Sequence, residues 1–300
     1  MRRLRRAVAI SGLVAIVGAC TAPSPTPTAD VNLVAAPEPA PTSASVAEWS
    51  RPQRGDLDMM AARGTIRILV PAGRTSYYIE QGLQHGATFS AGKAFEMYVG
   101  RNFSSASGLK VVFLPTPTED LVTALNTGRG DIAANLEVAP DRDPPQVDIV
   151  SAVWGVKEVV ATGPDVPKLV SLEDLEGRKI HVRRNSRHYE SLALLNRRLA
   201  QINKPGCTIV PVNESLTDED LLALVNDGKI PATLVDSHVA AVWRGVFDKV
   251  SVNDDVAVSQ DATIGWAVRH DSPKLLEQIQ AFAKAGGPGA LWGPTRPARW

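Results

Sequence analysis

Cysteine is nearly absent: the 300 residues hold two, Cys20 and Cys207. A disulfide framework is therefore not what stabilises this chain, and the fold must rest on an apolar core. A net charge is absent too, with 32 basic residues against 32 acidic ones, so no overall field points to nucleic acid. The one apolar run near the start, Ala7 to Val17, is too short to cross a bilayer. No metal-ligand cluster, phosphate loop or Ser/His/Asp spacing rises above chance, and His188 and His238 read as polar residues at helix starts. Neither a metal nor a cofactor is expected.

Apolar residues make up 44% of the chain, enough for one large or two modest domains. Arg2, Arg3, Arg5 and Arg6 precede the apolar run, which closes on Val17-Gly18-Ala19-Cys20. Residues 1–20 are thus expected to be a signal peptide. Small residues directly before a cysteine resemble the bacterial lipobox, which implies that Cys20 is acylated and becomes the mature N-terminus. The protein would then sit in the cell envelope, on the periplasmic or extracytoplasmic side, held to the membrane by lipid. The other reading is an ordinary signal peptide or an uncleaved anchor. Residues 21–55 are rich in Pro, Ala, Thr and Ser, show no helical or strand period, and are expected to form a disordered tether. Cys207, followed by Thr208, Ile209 and Val210, reads as a small buried hydrophobe entering a strand.

The stretch Leu125 to Arg142 organises the rest. A helix bearing Leu121, Val122 and Leu125 stops at Gly128, and Gly130 turns the chain into a short buried strand from Asp131 to Leu136. Pro140 then breaks the run, with Arg142 just beyond. Ligands of open α/β sheets sit at the carboxyl ends of strands, where loops and helix N-termini converge. The planar fork of Arg142 suits a bidentate carboxylate clamp; the alternative is a solvated loop arginine. Upstream, a helix over Asp56 to Arg63, a strand Thr65 to Val70, a helix Phe89 to Phe103 and a strand Leu109 to Leu114 alternate as a parallel right-handed sheet requires. The loop after the first strand carries Tyr77 and Tyr78, which either wall a ligand site or cap a domain edge.

Val147 to Thr162 reads as a strand leaving this first unit, and Thr263 to Val268 as one returning to it, ahead of a closing helix Pro273 to Ala283. Between them a second α/β unit begins with Lys179 to Val182. Asn185 and Ser186 lead into a helix from Tyr189 to Ile202, either as an anion-facing N-terminus or as a plain cap. Asn226-Asp227-Gly228 repeats the device of Asn126-Thr127-Gly128, and the strand Pro231 to Val235 follows, with Asp236 at its carboxyl end before a helix Val239 to Phe247. Asp236 is either a cap or a partner for a ligand ammonium. The expected architecture is two α/β lobes joined by two crossover strands: 56–160 with 255–285 as lobe 1, 161–254 as lobe 2, and 286–300 as an irregular tail.

Gly-x-Gly-Asp-Ile-Ala-Ala with Pro140-Asp141-Arg142, Leu172 to Lys179, Tyr189-Glu190-Ser191-Leu192, Val235-Asp236-Ser237-His238 and Trp266-Ala267-Val268 together resemble the bacterial solute-binding proteins of the amino-acid type (family 3). Within them, the chain is most similar to the sensor domain of membrane-bound lytic transglycosylase F. The resemblance covers about Asp56 to Ala283. It implies the type II periplasmic-binding-protein fold, a small amino-acid-like or cell-wall-peptide ligand, and an ABC permease or cell-wall enzyme as partner. It also implies that Arg142 holds a ligand carboxylate and Asp236 an ammonium, with Asn185 and Ser186 adding hydrogen bonds. The sequence departs from that family in placing Asn135 and Glu137 where amino-acid binders have glycine and threonine. A carboxylate at Glu137 would repel an anionic ligand and compete for Arg142, which favours peptide or amine ligands over a free amino acid. The catalytic segments of transglycosylase F are not found, and Glu190-Ser191 matches only a dipeptide inside a helix. A non-enzymatic binding module is therefore expected; the rival readings are a truncated regulatory half of a transglycosylase F-like enzyme and a tethered domain with a dead pocket.

Overall fold

In the computed structural model, residues 36–103, 108–139, 146–286 and 289–292 are described. Arg142 and Cys20 lie outside them, as do residues 21–35 and most of the tail.

The first α/β unit grows from caps and buried strands. Asp56 accepts a hydrogen bond from Leu57 N at 2.7 Å and opens α2 (Leu57–Arg63), which stops at Gly64 in the left-handed region. Upstream of it lie β1 (Glu38–Pro39) and α1 (Ser43–Trp49). β2 (Thr65–Val70) is buried from Ile66 onward and pairs in parallel with β5 (Lys110–Pro115) and β6 (Ile132–Val138). A hairpin, β3 (Tyr78–Glu80) and β4 (Leu83–His85), joins β1 in a separate small sheet. α3 (Ala87–Asn102) and α4 (Leu121–Asn126) make the crossovers. Between α4 and β6, Gly128 takes φ 77°, and a Cβ there would meet Gln53 O at 2.7 Å, so the expected turn is also a point of close chain approach.

β7 (Asp148–Thr162) and β11 (Ser251–Val268) run antiparallel to each other through the middle of one sheet. Beyond β7 come β10 (Ala232–Asp236), β8 (Lys179–Arg183) and β9 (Thr208–Val212), so the eight strands lie in the order β5-β2-β6-β11-β7-β10-β8-β9. α5 (Arg187–Gln201), α6 (Asp218–Asn226), α7 (Ser237–Trp243) and α8 (Pro273–Gly286) cover the faces. The crossing strands are thus long partners of each other, and their register shifts repeatedly between Asn253 and Gly265. Gly155 at φ 67° and Asp261 at φ 62° sit in this irregular middle, where the two halves of the sheet meet.

Separate apolar clusters serve the two halves. Phe95 stacks edge-on against Trp266 and packs on Phe282 beneath β2 and β5, while Leu192, Leu195, Ile180 and Leu234 fill the space under α5. Gly265 lies where β11 is pressed between its neighbours: a Cβ there would stand 2.2 Å from Val150 O. Because backbone cannot yield as a side chain can, Gly265→Ala should lower stability by about 1–3 kcal/mol, the usual cost of overpacking. Urea unfolding measures it; an unchanged midpoint would show that β7 and β11 separate there freely.

The segment just before α2 corrects the tether reading. From Glu38 onward it is folded: Val46 and Trp49 pack on the cluster around Leu69, Leu121 and Leu125, and the Arg67 guanidinium donates to Trp49 O, Arg51 O and Gln53 O at 2.9–3.0 Å. Composition concealed this because two apolar side chains and three backbone carbonyls suffice to anchor the segment, given a buried donor from elsewhere.

Candidate functional site

Acids near the carboxyl ends of β6 and β10 and one within β7 face one another across the two halves of the sheet. Glu158 of β7 and Asp236 of β10 are direct cross-strand partners, an arrangement that repels unless a cation bridges it. Arg187 supplies that cation. Its Nη1 lies 2.6 Å from Glu158 Oε1 and also binds Glu137 of β6, while its Nη2 donates to Asp236 Oδ1 at 2.7 Å. Glu137 belongs to the first half of the sheet, whereas Arg187 and Asp236 belong to the second, so one guanidinium ties the halves together. His188 Nε2 approaches Asp236 Oδ1 at 3.2 Å.

Local sequence explains why Arg187 and His188 reach this point. Ser186 Oγ accepts from Tyr189 N at 3.2 Å and donates to Arg183 O at 2.7 Å, so it is the cap of α5 and aims the first two helical side chains into the cleft. Asn185 uses its backbone N–H on Glu214. The loop expected to touch the ligand therefore positions Arg187 and His188, and those two, not Asn185 and Ser186, make the contacts with Asp236. Sequence reading missed them because a basic residue opposes the dipole of its own helix start; only the three distant acids make the position favourable.

Charge follows from these contacts. Burial disfavours ionisation of Asp236, yet Arg187 and His188 override it and hold the carboxyl well below the usual carboxylate range. Burial likewise opposes the charge on Arg187, but Asp236, Glu137 and Glu158 more than offset it and raise its pKa. His188 loses basicity to burial and regains more from its bond to Asp236, for a net rise. His238, half-buried near the same acid, is lowered because desolvation prevails; Trp292 meets its ring edge-on at 4.7 Å. The ligating atoms of Glu158, His188 and Asp236 lie within 4.8 Å of one another, a donor set drawn from three remote segments that spacing in sequence could not reveal. The Arg187 guanidinium already stands against both carboxylates.

A second contact joins the halves. Glu219 at the start of α6 accepts from Thr75 N at 2.8 Å and from Thr75 Oγ1, which in turn accepts from Trp243 Nε1 at 2.9 Å. Desolvation pushes the Glu219 carboxyl up despite these bonds. An acid raised in the folded state binds its proton more tightly there, so its favourable contribution is complete below the ordinary carboxyl value of 4.5 and is lost as pH rises through the raised value. Glu219→Gln, a mimic of the protonated form, should be more stable than the parent at pH 8 and equal to it at acid pH. Urea midpoints across that window test this, and a constant difference would refute it.

The aromatic pair fares differently. Tyr77 is a core residue, stacked on Phe113 with its hydroxyl donating to Gln84 Oε1 at 2.9 Å and its pKa pushed up to about 12 by burial. It does not wall a cleft, because the apolar cluster under β2 claims its ring. Tyr78 stacks on His85 in the small sheet, with Arg74 over its face, and serves that edge. Asn135 stands at φ 57° and its amide donates to Ser76 Oγ and Thr88 Oγ1 at 2.8 and 2.9 Å. Asparagine suits this position, since it tolerates the left-handed region better than most side chains.

No protein-family model matches the chain. Comparison with solved structures finds the cysteine-binding protein from Campylobacter jejuni at a TM-score of 0.58 and 19% identity, covering 76% of this chain and 86% of that one. An amino acid ABC transporter substrate-binding protein from Streptococcus pneumoniae, bound to L-arginine, matches at a TM-score of 0.57 and 15% identity, covering 79% of this chain and 95% of that one. The fold is that of the type II periplasmic amino-acid-binding proteins. In sequence, the chain is similar to membrane-bound lytic murein transglycosylase F from Alcanivorax borkumensis, 28% identical over 242 residues that make up 79% of this chain and 48% of the relative. The chain spans about half the length of the curated relatives it matches. Among the described residues, no helix is long and apolar enough to cross a membrane.

Proposed function

We propose that this type II fold binds a small amino-acid-like or cell-wall-peptide ligand between two lobes, residues 56–160 with 255–285 and residues 161–254, that close about β7 and β11. Asp236 takes the cationic end of the ligand, and Arg142 its carboxylate. The observation that carries this reading is the placement of Asp236: a buried, ionised carboxylate at the carboxyl end of β10, in a cluster drawn from both halves of the sheet. The solved neighbours include an arginine-bound and a cysteine-binding protein, which puts the twenty amino acids and small muropeptides first in any screen. Cys20 is the lipid anchor in this reading, with an ABC permease or a cell-wall enzyme as partner in the envelope.

A second reading is favoured by one observation, the length of the transglycosylase F relatives, about twice the matched segment. There the same cleft is the regulatory half of a murein-cleaving enzyme, and occupancy reports cell-wall fragments. Thermal shift against amino acids and muropeptides decides between them. A ligand that binds only the folded state raises the midpoint by mass action, by about 2.7 kcal/mol of stability at a hundred times Kd. Response to either class supports the ligand-binding cleft that both readings share, and response to muropeptides alone favours the second; no response from either class would overturn both.

A further inference from the structure

We infer that Arg187 is a built-in occupant of the cation subsite: its guanidinium stands where the guanidinium or ammonium group of a ligand would stand, so the closed cleft is liganded by its own chain. This deepens the reading above and rests on Asp236 being the cation-binding end of the cleft.

The burial pattern separates cradle from occupant. The side chains of Glu137, Glu158 and Asp236 are 7%, 1% and 12% exposed, whereas Arg187 is 17% exposed. The acids are fixed on strands of the sheet, Glu137 and Asp236 at the ends of β6 and β10 and Glu158 within β7. The cation comes from a helix, on a long flexible stem at the first turn of α5, where the helix dipole works against it. An arginine can swing out; strand carboxylates cannot follow it. Three acids left together in a dry site would be uncompensated, and they demand another cation.

Acceptor capacity points the same way. Among the described residues, neither oxygen of Glu158 makes an aligned hydrogen bond, although Oε1 lies 2.6 Å from Arg187 Nη1 as an ion pair. A planar fork entering from solvent could align on Glu158 and Asp236 together, which the tethered side chain does not do. A carboxylate-rich cradle with spare acceptors selects guanidinium or alkylammonium groups and rejects anions.

Displacement has a measurable signature. If the state with Arg187 swung out is populated at about 0.1–10%, the apparent affinity for a cationic ligand is reduced by roughly 10–1,000-fold relative to an empty cradle. Arg187→Ala should therefore scatter X-rays as a more open molecule than the parent, and methylguanidinium chloride should restore its compactness and raise its thermal midpoint. Sodium chloride at equal ionic strength should not. The parent should show neither response, its subsite being filled. L-Arginine should bind the variant at least about tenfold more tightly than the parent by calorimetry. If Arg187→Ala does not fold, Arg187→Gln, which removes the charge but keeps a polar side chain, carries the same calorimetric comparison.

A folded variant whose compactness and midpoint ignore methylguanidinium would overturn the inference and reduce Arg187 to a structural ion pair, as would measurable L-arginine binding of equal tightness in variant and parent. The outcomes are separable from those of the functional reading. Rescue by methylguanidinium with no amino-acid or muropeptide binding in either protein sustains the self-occupied subsite and sinks the ligand assignment; ligand binding by the parent without rescue in the variant does the reverse.

Discussion

Asp131→Ala should cost about 3–5 kcal/mol of stability, the penalty for stripping one partner from a buried ion pair and leaving its charge unmatched. Asp131 is fully buried at the entrance to β6, and three arginines converge on it. Arg67 donates to it through its backbone N–H at 2.8 Å and through Nε and Nη2 at 3.1 and 2.9 Å, and Arg63 adds a further hydrogen bond. Without the carboxylate, Arg67 remains 2% exposed with its charge uncompensated. The damage should spread to the segment before α2, because the same guanidinium holds the carbonyls of Trp49, Arg51 and Gln53. Urea unfolding gives the magnitude, and limited proteolysis between Ala36 and Gly55 gives the spread. Arg244→Ala is the control: its pair with Asp254 is half exposed on both sides and should be worth about 0–1 kcal/mol. If the two variants lose comparable amounts, the network around Asp131 does not organise the first half of the fold.

That network also shows where sequence reading stops. Gly128, Gly130 and Asp131 announce a turn into a buried strand, and the strand is there; the turn needs only local geometry. Nothing local says that Asp131 will collect arginines from positions 63, 67 and 269, because such convergence is made by the sheet order. The crossing strands were visible as β-rich runs, and the structure adds that they pair with each other along most of their length. Asp236 was legible because it ends a strand and precedes a helix. Arg187 was not: its role depends on Glu137, Glu158 and Asp236, which lie 50, 29 and 49 residues away in the chain and meet only when both halves are folded. Tyr77 misled for the opposite reason, since its loop position suggested a cleft while the neighbouring Phe113 offered its ring a better place in the core.

Asp236→Asn should remove about 2–5 kcal/mol of binding free energy for a cationic ligand, as expected when one side of a buried, hydrogen-bonded charge pair is neutralised. It keeps the volume of the side chain, so the surrounding packing is undisturbed and the loss reports charge. The same variant should lose stability at neutral pH, where Asp236 is ionised in the parent and faces Arg187 and His188. Because its folded pKa is depressed, that contribution exists above the unfolded value near 3.9 and disappears as pH falls through the folded one. Parent and variant should converge in strong acid. His188 provides an independent readout: its bond to Asp236 is what outweighs desolvation and raises its pKa. Its own stabilisation is complete below the unfolded value of about 6.5 and lost as pH rises through the raised one. In Asp236→Asn the imidazole keeps its burial and loses the acid, so its titration by NMR should move down past the ordinary value. A His188 that titrates as in the parent, together with unchanged affinity for every ligand found, would mean that Asp236 is not the charge around which this cleft is built.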